Sequence, residues 1–322
     1  MNRLKTYHPA GGIDYPRTLQ EFDEWFSTEE KCFKYIQKTR WPEGFRCHAC
    51  MGGKGWEMAT GLIRCSKCWQ DTSIIAGTMF QGTRKPLRLW FQAMWYVTSQ
   101  KFGGNALGLQ RVLGLGSYLT AWSQLHKMRE VMVRPDRDRL RGIIEVDETL
   151  VGGEDKGGKR GRGAGRKSIV VIALEIYEPK GYGRVRMQQI SDASGDNQIP
   201  FIRNVILPGS IVRTDSQGGY NKLEENNYVH KKINLSASGN PAHVALPGVH
   251  RISSLLKRWL IGTHQGAVSG KHLDCYLDEY TFRFNRRKSD ARGLLFYRLL
   301  QQAVVSEPLT YKEIVYRGEG VD

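Results

Sequence analysis

Two spacings of apolar residues divide the chain. Up to about residue 131 apolar and aromatic positions recur at helical intervals, and beyond about residue 142 they fall into β-branched or alternating runs. Thr18-Leu19-Gln20-Glu21 reads as a capping box ahead of Phe22, Trp25 and Phe26 on one helical face, and Ser27 with Glu30 repeats the signal for a second helix that Pro42 ends. Glycines at 52, 53, 55 and 61 then mark turns between short strands over 45–72. Pro86 opens an apolar helix through Leu87, Trp90, Phe91, Met94 and Val97, which Gly103-Gly104 stops. A short helix over 107–113, a turn over 114–117 and a longer helix over 118–131 follow. The longer helix carries Tyr118, Ala121, Trp122, Leu125 and Met128 on one stripe, and Thr120, Gln124, Lys127 and Arg129 on the other. From the hinge-like Pro135-Asp136-Arg137-Asp138 onward, strands are predicted over 142–149, 168–174 and 184–190. A helix over 196–205, a strand over 210–215, a short helical turn, a strand over 228–233 and helices over 250–261 and 271–286 complete the order. The tail after Val304 shows little pattern and is expected to be loosely held.

Cysteines change the picture of the first region. Cys47, Cys50, Cys65 and Cys68 form two Cys-x-x-Cys pairs separated by fourteen residues. Each pair, on a tight turn, points two thiolates at one centre, and two pairs supply the tetrahedral four-sulfur set of a closed structural zinc site. The rival readings are a disulfide pair, or four buried thiols that happen to be spaced this way. No signal peptide is seen at the amino end and no apolar run approaches membrane-spanning length, so a reducing, cytoplasmic setting is expected. Cys32 and Cys275 stand among aromatic and aliphatic neighbours and read as core residues.

Charge narrows the partner. With 48 Lys+Arg against 32 Asp+Glu the net charge is +16, and the pI is near 9.6, which points to a polyanion. Between 156 and 167, six of twelve residues are basic (Lys156, Lys159, Arg160, Arg162, Arg166, Lys167) and the rest are Gly or Ala, a composition that cannot pack a core and suits a phosphate backbone; a solvated loop is the plain alternative. In this basic context helix, glycine-bearing turn and helix over 107–131 reads as a helix-turn-helix-like DNA-binding segment, with Gln124, Lys127 and Arg129 as candidate contacts; a simple helical hairpin would show the same stripe.

The second region then acquires a chemistry. The order βββ-α-β-α-β-α is that of ribonuclease-H-like domains. Phosphodiester chemistry commonly uses two divalent cations, which hard carboxylates hold. Asp147 and Asp215 each follow an apolar run at the end of a predicted strand, the first and fourth of the order. A third carboxylate is missing: no Asp or Glu occurs between Glu225 and Asp274. The slot holds His250, 35 positions after Asp215, with Lys257 two helical turns further on the same face. Imidazole suits manganese, zinc or iron better than magnesium. Glu148 should point to the opposite face from Asp147, and Glu279, on a later helix, is a substitute candidate. Each aspartate also reads as a strand-end turn former, His250 as a helix-start polar residue, Lys257 as a surface charge, and Arg283, Arg286 and Arg287 as either a phosphate track or a solvated face.

The motifs resemble bacterial insertion-sequence transposases of the zinc-ribbon type, the ISXO2-like group with an integrase-like DDE catalytic domain. They are Cys47-His48-Ala49-Cys50 with Cys65-Ser66-Lys67-Cys68, Val146-Asp147-Glu148-Thr149 with Val151-Gly152-Gly153, Arg213-Thr214-Asp215 with Tyr220, and His250 to Lys257 with Trp259. Gly262-Thr263-His264 and Tyr276-Leu277-Asp278-Glu279-Tyr280 running into Phe282-Arg283-Phe284-Asn285-Arg286-Arg287 extend the similarity over about residues 18–300. Many members of the group carry Glu or Asn where His250 stands, and some carry His.

The resemblance implies cleavage at element ends followed by attack of a 3′-hydroxyl on target DNA. Asp147, Asp215 and His250 would be ligands for magnesium or manganese, two ions in all, and Lys257 would be a DNA-end contact. Partners would be double-stranded DNA and further copies of the chain, a dimer or more, since two ends are joined. The expected organisation is a multidomain α+β protein: a helical segment (1–44), a zinc ribbon (45–82), a helix-turn-helix-like segment (83–134), a ribonuclease-H-like α/β domain with a mixed five-stranded sheet (135–304) and a tail (305–322). Two other readings stay open: an inactive DNA-binding descendant, and a nuclease that cuts without strand transfer.

Overall fold

The computed structural model describes residues 8–134, 137–152, 167–233, 245–266 and 268–317. The chain divides into two compact units, Met1–Met132 with Ser289–Asp322, and Val133–Lys288.

The first unit opens with α1 (Leu19–Trp25) and α2 (Glu29–Arg40). Thr18 Oγ1 accepts the Glu21 N–H, as the capping pattern predicts. At α2 the cap is Thr28, which accepts the Lys31 N–H, one residue beyond the expected Ser27. Three short antiparallel strands form the ribbon: β1 (Gly55–Glu57), β2 (Ile63–Cys65) and β3 (Asp71–Thr72). Then come α3 (Leu87–Ser99), α4 (Ala106–Leu113) and α5 (Tyr118–Glu130). Glu29 carries the start of α3, its carboxylate accepting the N–H groups of Leu87 and Arg88.

The second unit is a five-stranded sheet in the order β6-β5-β4-β7-β8. Its strands are β4 (Ile143–Val151), β5 (Ser168–Ile176), β6 (Tyr182–Ile190), β7 (Ile211–Asp215) and β8 (Val229–Ile233). β4, β5 and β6 pair antiparallel, whereas β7 lies parallel to both β4 and β8, so the sheet is mixed as expected. Helix α6 (Gly195–Val205) joins β6 to β7; α7 (Pro247–His264) and α8 (Leu273–Asn285) follow β8. Between β7 and β8 the chain makes only two short 3-10 turns. Apolar clusters cover both faces. Ile144, Val146, Val171 and Val212 pack with Ile199 and Ile202 of α6, and Val170, Ile172 and Leu174 pack with Val249, Ile252 and Leu256 of α7 and Tyr276 of α8. Burial on both faces explains why β5 reads as one continuous apolar run.

The last helices, α9 (Arg292–Ala303) and α10 (Tyr311–Val315), belong to the first unit, which departs from the expected boundary at residue 304. The reason is aromatic packing. Phe296 of α9 is fully buried and lies 5.5 Å from Phe22 and 5.6 Å from Phe26 and Phe91, centroid to centroid. As far as residue 317 the tail is held rather than loose: Thr310 and Glu313 form a reciprocal capping box on α10, Ile314 is buried, and Arg317 pairs with Glu130.

Candidate functional site

The four cysteines come together as expected. Two identical turns deliver them: in each, the first cysteine's carbonyl accepts the N–H four residues on, Met51 for Cys47 and Trp69 for Cys65. Sγ of Cys47 is 3.6 Å from that of Cys68, and Cys50 stands 3.6 Å from Cys65. A tetrahedron with Zn–S bonds of about 2.3 Å has edges of about 3.8 Å, so the sulfur set fits zinc. Among the described residues this is the one group of three or more metal-donor side chains whose ligand atoms all lie within 4.8 Å of one another. Backbone N–H groups of the turns favour thiolates: those of Cys50 and Ala49 hold Cys47 low, and those of Cys68 and Lys67 hold Cys65 down to about 6. Cys32 and Cys275 are buried core residues, and burial pushes the Cys32 thiol up to about 12.

The second site is built by strand register. β4 and β7 pair Ile143 with Ile211, Ile144 with Val212 and Glu145 with Arg213. The ladder ends at Glu145 and Arg213; two residues beyond it on each strand stand Asp147, in the middle of β4 rather than near its end as expected, and Asp215, the last residue of β7. Alternation turns odd residues of β4 toward α7. Glu145 accepts the Val249 N–H at 2.8 Å and Thr149 meets Ser253 Oγ at 2.7 Å, so both flank Asp147 in tying β4 to the first turns of α7. His250 Nε2 lies 3.5 Å from Asp147 Oδ2. Asp147 Oδ1 accepts the Glu148 N–H at 2.8 Å, and Asp215 Oδ1 the Gln217 N–H at 3.1 Å.

The opposite face takes Glu148, as alternation requires. Its Oε1 accepts from the fully buried Tyr220 hydroxyl at 2.9 Å. Burial, together with Glu148 and, more weakly, Asp147 and Asp215, holds the Tyr220 phenol well above its usual value, so it stays a donor. Glu279 does not join the aspartates: it is buried on α8, paired with Arg283 at 3.0 Å, and α8 packs on the edge strand β6. Arg286 and Arg287 lie over the rings of Phe282 and Phe284.

Asp147, Asp215 and His250 do not all lie within 4.8 Å of one another as the cysteines do; as donor types, two carboxylates and one imidazole suit a manganese-type cation better than magnesium. Beside them, Pro247, His250, Arg251, Ser254, Leu255 and Arg258 line an open basin of about 330 Å³. Arg251 and Arg258 are seven apart on α7, the same spacing as His250 and Lys257. That repeat was a readable signal for them. Lys257 is exposed, and partial desolvation and the neighbouring Lys167 hold its ammonium below its usual range.

The α4–α5 segment corrects part of the expected DNA contact set. Gln124 and Arg129 are each only 2% exposed, so neither side chain reaches a base or a phosphate from this position. The inward face of α5 is wider than the apolar stripe alone indicated and takes in His126 as well. Lys127 is half-buried beside Glu313, and burial holds its ammonium low. Lys156, Lys159, Arg160, Arg162 and Arg166 lie outside the described residues; Lys167 lies just ahead of β5.

Comparison with known proteins follows this geometry. Residues 139–285 match the ISXO2-like transposase domain, and residues 27–70 match the transposase zinc-ribbon domain. Over 276 residues the chain is 23% identical to an uncharacterized protein in transposable element ISH50 of Halobacterium salinarum, a match covering 80% of this chain and 91% of that protein. An uncharacterized transposase-like protein of Haemophilus influenzae is 27% identical over 107 residues, 33% of this chain and 85% of its own. No helix among the described residues is long and apolar enough to cross a membrane. With a zinc ribbon and an ISXO2-like transposase domain in one chain, the protein belongs to the zinc-ribbon insertion-sequence transposases of the ISXO2-like group.

Proposed function

We propose that the chain binds the ends of its element and carries out divalent-metal-dependent DNA strand cleavage and strand transfer. The observation that carries this reading is that Asp147 and Asp215 each stand two residues beyond the last pair of the parallel β4–β7 ladder, with His250 Nε2 3.5 Å from Asp147. These three side chains would hold the catalytic cations, magnesium or manganese. Bound there, a pair of such ions supplies an activated nucleophile and charge neutralisation at the phosphorus.

The remaining work falls to the protein. The N–H groups of Glu148 and Gln217 fix one oxygen of each aspartate, so that the two carboxylates are oriented before DNA arrives. Arg251 and Arg258 of the basin, with Lys257 and its neighbour Lys167, bind the phosphate backbone of the element end or target. The basic segment 156–167 adds a sequence-independent attraction, and the zinc-ordered ribbon contributes to end binding. Joining two ends calls for a homodimer or larger assembly on DNA, in the cytoplasm and at the nucleoid.

The test is a plasmid carrying the gene with its own flanking DNA. Wild type is expected to nick at the flanks, and Asp215→Asn to cut about a thousandfold or more slowly while binding the flanks within a few-fold. Equal loss of binding and cleavage would contradict the division of labour. The imidazole where a carboxylate is more usual keeps a second reading in view, a DNA-binding descendant without catalysis. It predicts tight flank binding and no cleavage in either metal, while cutting without joined products would mark a plain nuclease.

A further inference from the structure

The two cysteine turns share an oddity. The residue after each second cysteine has left-handed backbone, φ 57° at Met51 and 60° at Trp69. Glycine takes that conformation freely, whereas an L side chain there costs on the order of 1–2 kcal/mol. Yet both positions hold large apolar side chains, and each is 66% exposed. Packing does not compensate the cost, since neither side chain is buried. A third exposed residue stands beside Trp69: Trp56 of β1 is 44% exposed and meets it edge to face, centroids 5.6 Å apart.

The ground around this cluster is cationic. Residues 46–70 contain Arg46, Lys54, Arg64 and Lys67 against Glu57. Arg46, Lys54 and Lys67 are exposed, and Arg64 is paired with Asp71. Lys67 and Arg46 approach the glycines that follow Met51, with Lys67 Cβ 3.4 Å from where a Cβ on Gly52 would stand and Arg46 Nη1 3.9 Å from one on Gly53. An aromatic and thioether tip set among lysines and arginines matches a nucleic acid with an accessible base face: the cations meet phosphate, and the rings offer a stacking platform. A paired, stacked duplex hides those faces. An apolar protein partner would not explain the surrounding positive charge.

We propose that Met51, Trp56 and Trp69 form a site on the zinc ribbon for an unpaired nucleobase, such as one exposed where duplex DNA frays or is nicked. The inference rests on the reading of the chain as a DNA-processing enzyme and adds a substrate feature to it: the ribbon selects distorted or opened DNA over intact duplex. Met51 supplies a pliable apolar edge and the two tryptophans the stacking surface. The left-handed backbone holds Met51 and Trp69 outward from the metal-bound turns.

The backbone makes the test decisive. Trp69→Gly relieves the conformational cost, so the zinc-loaded full chain should melt at an unchanged or higher temperature with one zinc retained. The probes are a fluorescent duplex and the same duplex carrying three unpaired bases at one end. Wild type should prefer the opened probe; Trp69→Gly and Trp56→Ala should bind it roughly fivefold to a hundredfold more weakly, the range that stacking on one base spans, and bind the intact duplex within about twofold. Equal weakening on both probes, or none on either, would overturn the proposal, as would a concentration-dependent dimer lost in the same variants, which would identify a second copy as the occupant. Flank cleavage that depends on Asp215 is scored separately. It can persist when the base preference fails, and a wild type that binds neither probe would sink both readings together.

Discussion

The zinc ribbon and the aspartate site are both sets of metal-donor side chains, but they are assembled in opposite ways. All four cysteines lie within 22 residues, and two local turns bring them together. Asp147, Asp215 and His250 span 104 positions, and the proposed site exists only because a sheet forms in one register with one helix docked on it. The ribbon carries its geometry in its spacing, whereas the aspartate site borrows its geometry from a fold. A local site should therefore fail alone, and a borrowed one should fail with any break in the sheet that supports it.

The largest expected effect tests the first half of that contrast. Cys65→Ser should abolish zinc retention, removing on the order of 10 kcal/mol of metal-coupled folding from the ribbon. Zinc content and limited proteolysis should show cleavage within 45–72 while a fragment covering 133–288 survives. Loss of both regions at once would show that the ribbon is not locally autonomous.

A break in the support of the sheet comes next. Glu175 on β5 is buried, and its carboxylate binds the Arg184 guanidinium and the N–H groups of Arg184 and Arg141. Burial pushes its pKa up, but the Arg184 and Arg141 donors outweigh it, so the folded value lies below the usual carboxylate range. That stabilisation is present above the unfolded pKa and is lost as pH falls through the folded one. Glu175→Gln should cost about 2–3 kcal/mol at pH 7, measured by denaturant unfolding, and the difference from wild type should shrink as pH falls below the usual carboxylate range. A difference independent of pH would mean the charge of Glu175 is not what binds β5 to β6.

Exchanging a donor at the aspartate site sharpens the comparison further. His250→Glu replaces nitrogen with oxygen and should shift cleavage from manganese toward magnesium by about tenfold in their ratio; an unchanged ratio would remove His250 from the ligand set. The smallest effect concerns the basic segment. Neutralising Lys156, Lys159, Arg160, Arg162, Arg166 and Lys167 should lower the slope of log affinity against log salt by up to about five, and an unchanged slope would separate this segment from phosphate.

The same contrast governs what the sequence discloses. Spacing alone announces the cysteine set. The strands and their mixed sheet were also legible, because β5 is apolar throughout and Asp215 closes its strand, whereas Asp147 stands mid-strand in a β4 that runs on to Val151. What escaped depends on distant packing. Gln124 and Arg129 look like an exposed polar face along α5, yet both are buried. The return of α9 to the first unit hangs on Phe296 meeting Phe22, Phe26 and Phe91, contacts across 205 to 274 positions that no local period signals. Glu145 was hidden differently, since its role appears only once α7 presents the Val249 N–H to it. The capping box at Thr310–Glu313 was legible in principle, and its apolar run of one buried residue, Ile314, is too short to announce a helix.

The most direct test of the central claim is manganese binding, followed by electron paramagnetic resonance on the zinc-loaded full chain. Wild type should bind manganese, and Asp147→Asn and Asp215→Asn should each weaken it tenfold or more without loss of zinc or of thermal stability. Manganese affinity unchanged in both variants would contradict the claim that strand register makes Asp147 and Asp215 one site.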